Sequence, residues 1–163
     1  MNIRIGLGYD VHQLAAGEEL WLGGIRIPHE KGTVAHSDGD VLLHAICDAL
    51  LGAAGLRDIG YHFPDTDAAY KNIDSKKLLA RVYQLVKEKG FTLVNLDATI
   101  SAQRPKLKEW IPAMEAVVAR ILETTEELVN IKATTTEKLG FEGREEGISV
   151  QAVVLIEKTK LNN

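Results

Sequence analysis

Residues 2–12 read Asn-Ile-Arg-Ile-Gly-Leu-Gly-Tyr-Asp-Val-His. Ile3, Ile5 and Leu7 alternate with Arg4 and Gly6, the period of a β-strand, and the run ends on polar residues. Side chains two apart on a strand share one face, so Asp10 and His12 can grip a single ion. Gly6-Leu-Gly8 is not a dinucleotide fingerprint, because no third glycine follows three residues later and no helix is expected there.

Outward from this strand, Trp21-Leu22, Gly23-Gly24 and Ile25–Ile27 form a hairpin pattern. A polar loop, Val34 to Asp40, precedes a helix running to about Ala54, with Asp38 or Asp40 as its cap. Residues 55–73 are rich in Gly, Asp and Pro and read as a functional or flexible loop. Asp74 or Ser75 caps the next helix, whose Leu78, Leu79, Val82, Leu85 and Val86 keep the helical period until Gly90 stops it. A strand follows over 91–101. A second amphipathic helix is expected over about 107–123, with Pro112 tolerable only near its first turn. Two strands close the chain, one around Val129, Ile131 and Ala133 and one over 148–156. Strands and helices alternate loosely, with hairpin-like pairs at both ends. The expected fold class is α+β: a mixed sheet with helices packed on one face, in a single domain over 1–163.

Composition narrows the function classes. The 163 residues suffice for a hydrophobic core, and 45% apolar with 26% charged residues is ordinary globular usage. The net charge of -4 is spread along the chain, so neither nucleic acid nor an anionic membrane is an expected partner. Cys47 is the single cysteine, which excludes an intrachain disulfide and suits a reducing compartment. No apolar run approaches the roughly 20 residues of a membrane span, and a cytoplasmic location is the expectation.

A third ligand for the Asp10–His12 pair can come from His44, because Asp40, His44 and Asp48 are spaced by four along one helical face. Two imidazoles and one carboxylate suit zinc and leave a fourth tetrahedral position open, which favours catalysis over structure. Asp40 or Asp48 is a candidate to hold the second ring nitrogen of His44. The competing reading makes Asp10 and His12 turn residues and His44 a satisfied core histidine. His36-Ser37-Asp38-Gly39-Asp40 can present backbone N–H groups to a phosphate, or can be a helix cap and nothing more. Thr134-Thr135-Thr136-Glu137-Lys138 offers hydroxyls for phosphate oxygens and a carboxylate for Mg²⁺, or is simply a strand running into a turn.

Six strings occur in order: Gly-Tyr-Asp-Val-His (8–12), Ala-His-Ser-Asp-Gly-Asp (35–40), Asp-Ala-Leu-Leu-Gly-Ala (48–53), Asp-Ile-Gly (58–60), Phe-Pro-Asp-Thr-Asp (63–67) and Lys-Ala-Thr-Thr-Thr-Glu-Lys-Leu-Gly-Phe (132–141). Together they resemble the family of 2-C-methyl-D-erythritol 2,4-cyclodiphosphate synthases over essentially the whole chain. The resemblance implies a homotrimer with active sites between subunits. It also implies a reaction in which the 2-phosphate of 4-diphosphocytidyl-2-C-methyl-D-erythritol 2-phosphate attacks the β-phosphorus and expels CMP. By the same resemblance Asp10, His12 and His44 ligate Zn²⁺, Glu137 holds Mg²⁺ or Mn²⁺, and His36 and Thr135 stabilise the transition state. Ser37, Asp58, Ile59, Gly60, Phe63, Pro64, Asp65, Thr66 and Asp67 match positions that hold the methylerythritol part. Ala102, Gln103, Arg104, Pro105, Lys106, Leu107, Lys108, Thr134, Thr135 and Thr136 match the cytidine and diphosphate segment, and Phe141 and Arg144 match two further contacts. No Ser, Cys or Lys nucleophile is required, because the attacking oxygen belongs to the substrate.

Two other readings use the same residues: a metal-dependent diphosphate hydrolase, in which water attacks, and a metal- or nucleotide-binding module without turnover. One position departs from the family pattern. Gln151 stands where an acidic residue is common beside Arg144, at a place associated with the trimer's central channel. Restoring the acid with Gln151→Glu is expected to weaken binding of an isoprenoid diphosphate, as measured by calorimetry, because the added carboxylate would repel it.

Overall fold

A computed structural model of the chain describes residues 2–64 and 73–159. The first strand, β1 (Ile3–Ala16), is longer than its alternating start suggests. The hairpin follows as β2 (Leu20–Leu22) and β3 (Ile25–Ile27), antiparallel, with Gly23 and Gly24 both at positive φ as a tight two-residue turn requires. A short strand, β4 (Lys31–Thr33), pairs with the end of β1; three residues around a glycine carry too little pattern to be read in advance.

Helix α1 (Val41–Ala54) is capped by Asp40, whose side chain accepts from the Leu43 N–H. Within the expected loop, Asp58 caps a single turn, α2 (Ile59–His62). Helix α3 (Ser75–Glu88) starts at Asp74 and stops before Gly90, as its periodicity predicts. Strand β5 (Phe91–Ser101) leads to helix α4 (Ile111–Ile121), which is shorter than the expected 107–123. Residues 102–110 instead form a loop, leaving Pro112 in the first turn, where its missing N–H costs nothing. A 3₁₀ turn (Glu126–Leu128), β6 (Val129–Thr134), a single turn α5 (Gly140–Gly143) and β7 (Gly147–Lys158) complete the described chain.

The five-stranded sheet has the order β4-β1-β7-β5-β6, antiparallel except for the β5–β6 pair. It is the expected mixed sheet. Its buried face carries Ile148, Val150, Ala152, Val154 and Ile156 from β7, Leu96, Ala98 and Ile100 from β5, and Val129 and Ile131 from β6. Helix α1 lies over β1 and β7 with twelve of its residues buried, which explains an almost wholly apolar sequence.

The alternation in β1 runs opposite to the usual sense. Ile3, Ile5, Leu7, Tyr9 and Val11 face outward and are exposed, Ile5 and Leu7 by 69% and 67%, while Gly6 and Gly8 face the helix. Glycine is needed there by contact rather than by torsion. A Cβ on Gly6 would lie 1.9 Å from the Ala49 carbonyl oxygen, and one on Gly8 would lie 1.8 Å from that of Ala45. Gly8→Ala is therefore expected to push α1 off the sheet and cost at least about 1–3 kcal/mol, read as a lower midpoint in urea unfolding.

Candidate metal centre and flanking cavities

Asp10 and His12 sit on the helix-facing side of β1, beyond the two glycines that admit α1. His44, one turn into that helix, meets them. Asp10 Oδ2 lies 3.0 Å from His12 Nδ1 and 3.1 Å from His44 Nδ1, and one ligand atom from each residue falls within 4.8 Å of the others. Atoms held about 2.0–2.1 Å from one tetrahedral ion stand roughly 3.3 Å apart, so the carboxylate-to-imidazole spacings suit a shared cation. His12 Nδ1 is buried and, despite its nearness to Asp10, lacks a hydrogen bond of acceptable geometry. A buried imidazole nitrogen without a hydrogen-bond partner is available to ligate a cation. Among the described residues no fourth His, Cys, Asp or Glu joins the group.

The charges interlock. Burial works to raise the Asp10 pKa, but the close imidazoles of His12 and His44 outweigh it by contact and charge and hold the carboxyl below its ordinary 3.8. Burial likewise works to lower His44, and Asp10, with smaller help from Asp40 and Asp38, overrides it and lifts the imidazole above its ordinary 6.5.

The expected partners of His44's other nitrogen are corrected by the structure. Asp40 is fully buried and spent elsewhere, accepting from Gly23 N at 3.0 Å, Gly24 N at 2.7 Å and Leu43 N at 3.0 Å. Asp48 accepts from Ile59 N at 2.8 Å and so fastens α2 to α1. His44 Nε2 instead faces Ser75 Oγ at 3.0 Å and Ser37 Oγ at 3.4 Å. Ser75 is missed by sequence reasoning because it lies 31 residues away and doubles as the first residue of α3.

Three amides around the start of α1 are committed to the loop's own turns and cap. Gly39 N donates to Ser37 Oγ, Asp40 N to Asp38 Oδ1 and Leu43 N to Asp40 Oδ1. Its side chains still contribute: His36 and Ser37 line a cavity of about 390 Å³ with Asp10, His12, His44, Ile59, Gly60 and Phe63. Asp58 caps α2 through Tyr61 N, and Pro64 is exposed just beyond Phe63. Asp65, Thr66 and Asp67 lie outside the described residues.

A second cavity of about 890 Å³ is lined by every residue from Ala102 to Lys108 together with Ile131, Thr134, Thr135 and His29. It shares no lining residue with the first, so one chain places the two expected transition-state residues, His36 and Thr135, on different cavities. Beside the second, Thr136 closes the turn by donating to Leu139 O, while Glu137 is exposed at positive φ and accepts weakly from Thr135 Oγ1 at 3.4 Å. Phe141 covers Gly147. Arg144 finds its counter-charge next door: its guanidinium donates twice to Glu146, at 3.0 and 3.1 Å, so its pairing does not depend on position 151. Cys47 is buried and burial raises its thiol pKa well above the ordinary value, which keeps it protonated and inert.

The profile of the YgbB family matches residues 3–157. A 2-C-methyl-D-erythritol 2,4-cyclodiphosphate synthase of Bacteroides thetaiotaomicron is 63% identical over 158 residues, 97% of this chain and 99% of that protein. A solved cyclodiphosphate synthase described as its CDP-bound form is 36% identical, with a TM-score of 0.88 over 94% of this chain and 100% of that one. The bifunctional IspDF of Campylobacter jejuni is 48% identical, with a TM-score of 0.93 over 97% of this chain; the chain spans 43% of that longer protein.

In the metal-free protein the sign of each shift defines a pH window. The Asp10 contribution is present above 3.8 and lost as pH falls through its depressed folded value; that of His44 is complete below 6.5 and lost as pH rises through its raised folded value. A cation ligated by His44 would have to displace its proton. Titration calorimetry near pH 6.5 in buffers of differing ionisation enthalpy is therefore expected to show proton release on zinc binding, absent in His44→Ala.

Proposed function

The chain belongs to the YgbB family, and on that footing we propose that it cyclises 4-diphosphocytidyl-2-C-methyl-D-erythritol 2-phosphate to 2-C-methyl-D-erythritol 2,4-cyclodiphosphate with release of CMP, in the non-mevalonate isoprenoid precursor pathway. The observation that carries this is the Asp10–His12–His44 cluster opening onto a cavity lined by His36, Ser37, Ile59 and Gly60. The chain is then a metal-dependent phosphorus–oxygen lyase acting as one domain over 1–163. Asp10, His12 and His44 hold Zn²⁺, and Glu137 holds Mg²⁺ or Mn²⁺ with the substrate phosphates. When bound, the two ions neutralise the crowded phosphates and polarise the β-phosphoryl group.

The protein's own residues then position and stabilise. Ser37, Asp58, Ile59, Gly60 and the stretch Phe63 to Asp67 hold the methylerythritol part. Ala102 to Lys108 and Thr134 to Thr136 take the cytidine and diphosphate, with Phe141 and Arg144 adding contacts. His36 and Thr135 donate to phosphoryl oxygens as charge builds up on them, which is worth most in a site that excludes water. The attacking 2-phosphate and the β-phosphorus sit on one molecule, so folding that molecule supplies much of the rate by proximity alone.

Two observations support a homotrimer whose active sites lie between subunits. His36 and Thr135 line cavities with no residue in common, so a substrate touching both is best served by the second cavity of a neighbouring copy. The outward face of β1 exposes five apolar side chains beside Val153 and Leu155 of β7, a surface that association would cover. No helix among the described residues is long and apolar enough to cross a membrane. We place the chain in the cytoplasm, with a small molecule rather than nucleic acid as its partner.

Purified protein given the cytidyl substrate with zinc and Mg²⁺ should yield CMP and the cyclic diphosphate, followed by phosphorus NMR. His44→Ala and Glu137→Gln should each lower turnover by about 100-fold or more, the scale of several kcal/mol in a barrier. A linear phosphate product would identify a hydrolase instead, and zinc binding without CMP release would identify a binding module.

A further inference from the structure

The second ring nitrogen of His44 ends in a short chain of groups that the proposed chemistry does not use. Ser75 is fully buried, and its hydroxyl donates to Asp38 Oδ1 at 2.5 Å while lying 3.0 Å from His44 Nε2. Asp38 Oδ2 accepts from Ser75 N at 2.9 Å, so one carboxylate holds both the backbone and the side chain of this serine. That amide belongs to the first turn of α3, where Asp74 caps Lys76 N and leaves Ser75 N to Asp38.

A hydroxyl has one proton and two lone pairs. With that proton committed to Asp38, the Ser75 oxygen can only accept from His44, which places a proton on Nε2 and makes Nδ1, hydrogen-bonded to Asp10 Oδ2, the nitrogen whose proton a metal ion would displace. Ser37 Oγ, at 3.4 Å, is the more distant of the two hydroxyls at Nε2. Metal-ligating histidines use such a partner to fix the ring's tautomer and orientation.

We propose that Asp38 and Ser75 are positioning residues of the metal centre: by setting the direction of the Asp38–Ser75–His44 hydrogen-bond chain they hold His44 ready to ligate through Nδ1. This rests on the metal reading of Asp10, His12 and His44. The chain also ties the His36–Ser37 loop and the start of α3 to the same imidazole, so the loop that faces substrate and the residue that faces metal are set by one carboxylate.

Asp38→Asn turns one acceptor of this chain into a donor with little change of shape. With the amide oxygen on Ser75 N, the NH₂ faces Ser75 Oγ and the Asp40 amide and the hydroxyl proton turns to His44 Nε2; with the oxygen on Ser75 Oγ and Asp40 N, Ser75 N loses its acceptor, so either orientation loosens the hold on His44. Zinc affinity, measured by competition with a chromophoric chelator on metal-free protein, is expected to fall by about 10–100-fold in Asp38→Asn. In zinc-loaded wild type, nitrogen NMR should show His44 bound through Nδ1 with a hydrogen-bonded proton on Nε2. That proton's resonance should move in Ser75→Ala, which a role in packing alone would not produce. Coordination of wild type through Nε2, an unmoved resonance in Ser75→Ala, or unchanged zinc affinity in Asp38→Asn would each overturn the assignment while leaving the metal site standing. Wild-type protein whose zinc affinity is unaffected by His44→Ala would overturn the metal reading itself, and this inference with it.

Discussion

The structure depends on how closely α1 can lie on β1. At Gly6 and Gly8 the helix backbone approaches the strand so nearly that a single methyl group would overlap Ala49 or Ala45 carbonyl oxygen. Alanines at 45, 49 and 53, one per turn, give the helix a matching flat side. Two backbones in contact form a rigid joint, and Asp10, His12 and His44 sit at its open end. Sub-ångström placement of metal ligands comes from packing of this kind, since a helix one methyl further out would part His44 from the strand pair.

Around that joint, buried polar groups are satisfied by one another. Asp40 illustrates the cost and its compensation: burial raises its pKa, while backbone N–H groups of Leu43, Gly24 and Gly23 act to lower it. Those three donors belong to α1 and to the turn of the β2–β3 hairpin, so the carboxylate pins the hairpin against the helix. Asp48 and Asp38 do the same for α2 and α3. Three aspartates from one segment thus anchor three elements, and none is left over to support His44 directly.

The outward face of the sheet is governed by different physics. Register puts Leu7 beside Val153 and Tyr9 beside Gln151, with Thr99 on the other side of Gln151. The exposed apolar positions of β1 form a continuous stripe beside Val153 and Leu155, while Asp97, paired with Lys132 and Asn130, keeps the neighbouring part of that face polar.

Much of the architecture was legible in local pattern. The caps at Asp40 and Asp74, the stop at Gly90, the Gly23-Gly24 turn and the two closing strands all follow from neighbouring residues, because capping, turn chemistry and strand alternation act over a few positions. The trio Asp10, His12 and His44 was legible too, as strand and helix periods confine where those side chains point. Strand β4, the late start of α4, the outward turn of the apolar stripe on β1, and Ser75 in place of Asp40 or Asp48 behind His44 were not. Each depends on which distant segment packs alongside, and the free energy of such contacts belongs to pairs far apart in the chain. Periodicity within the sequence determined which residues share a face; only the packing of α1 and α3 decided what that face would meet.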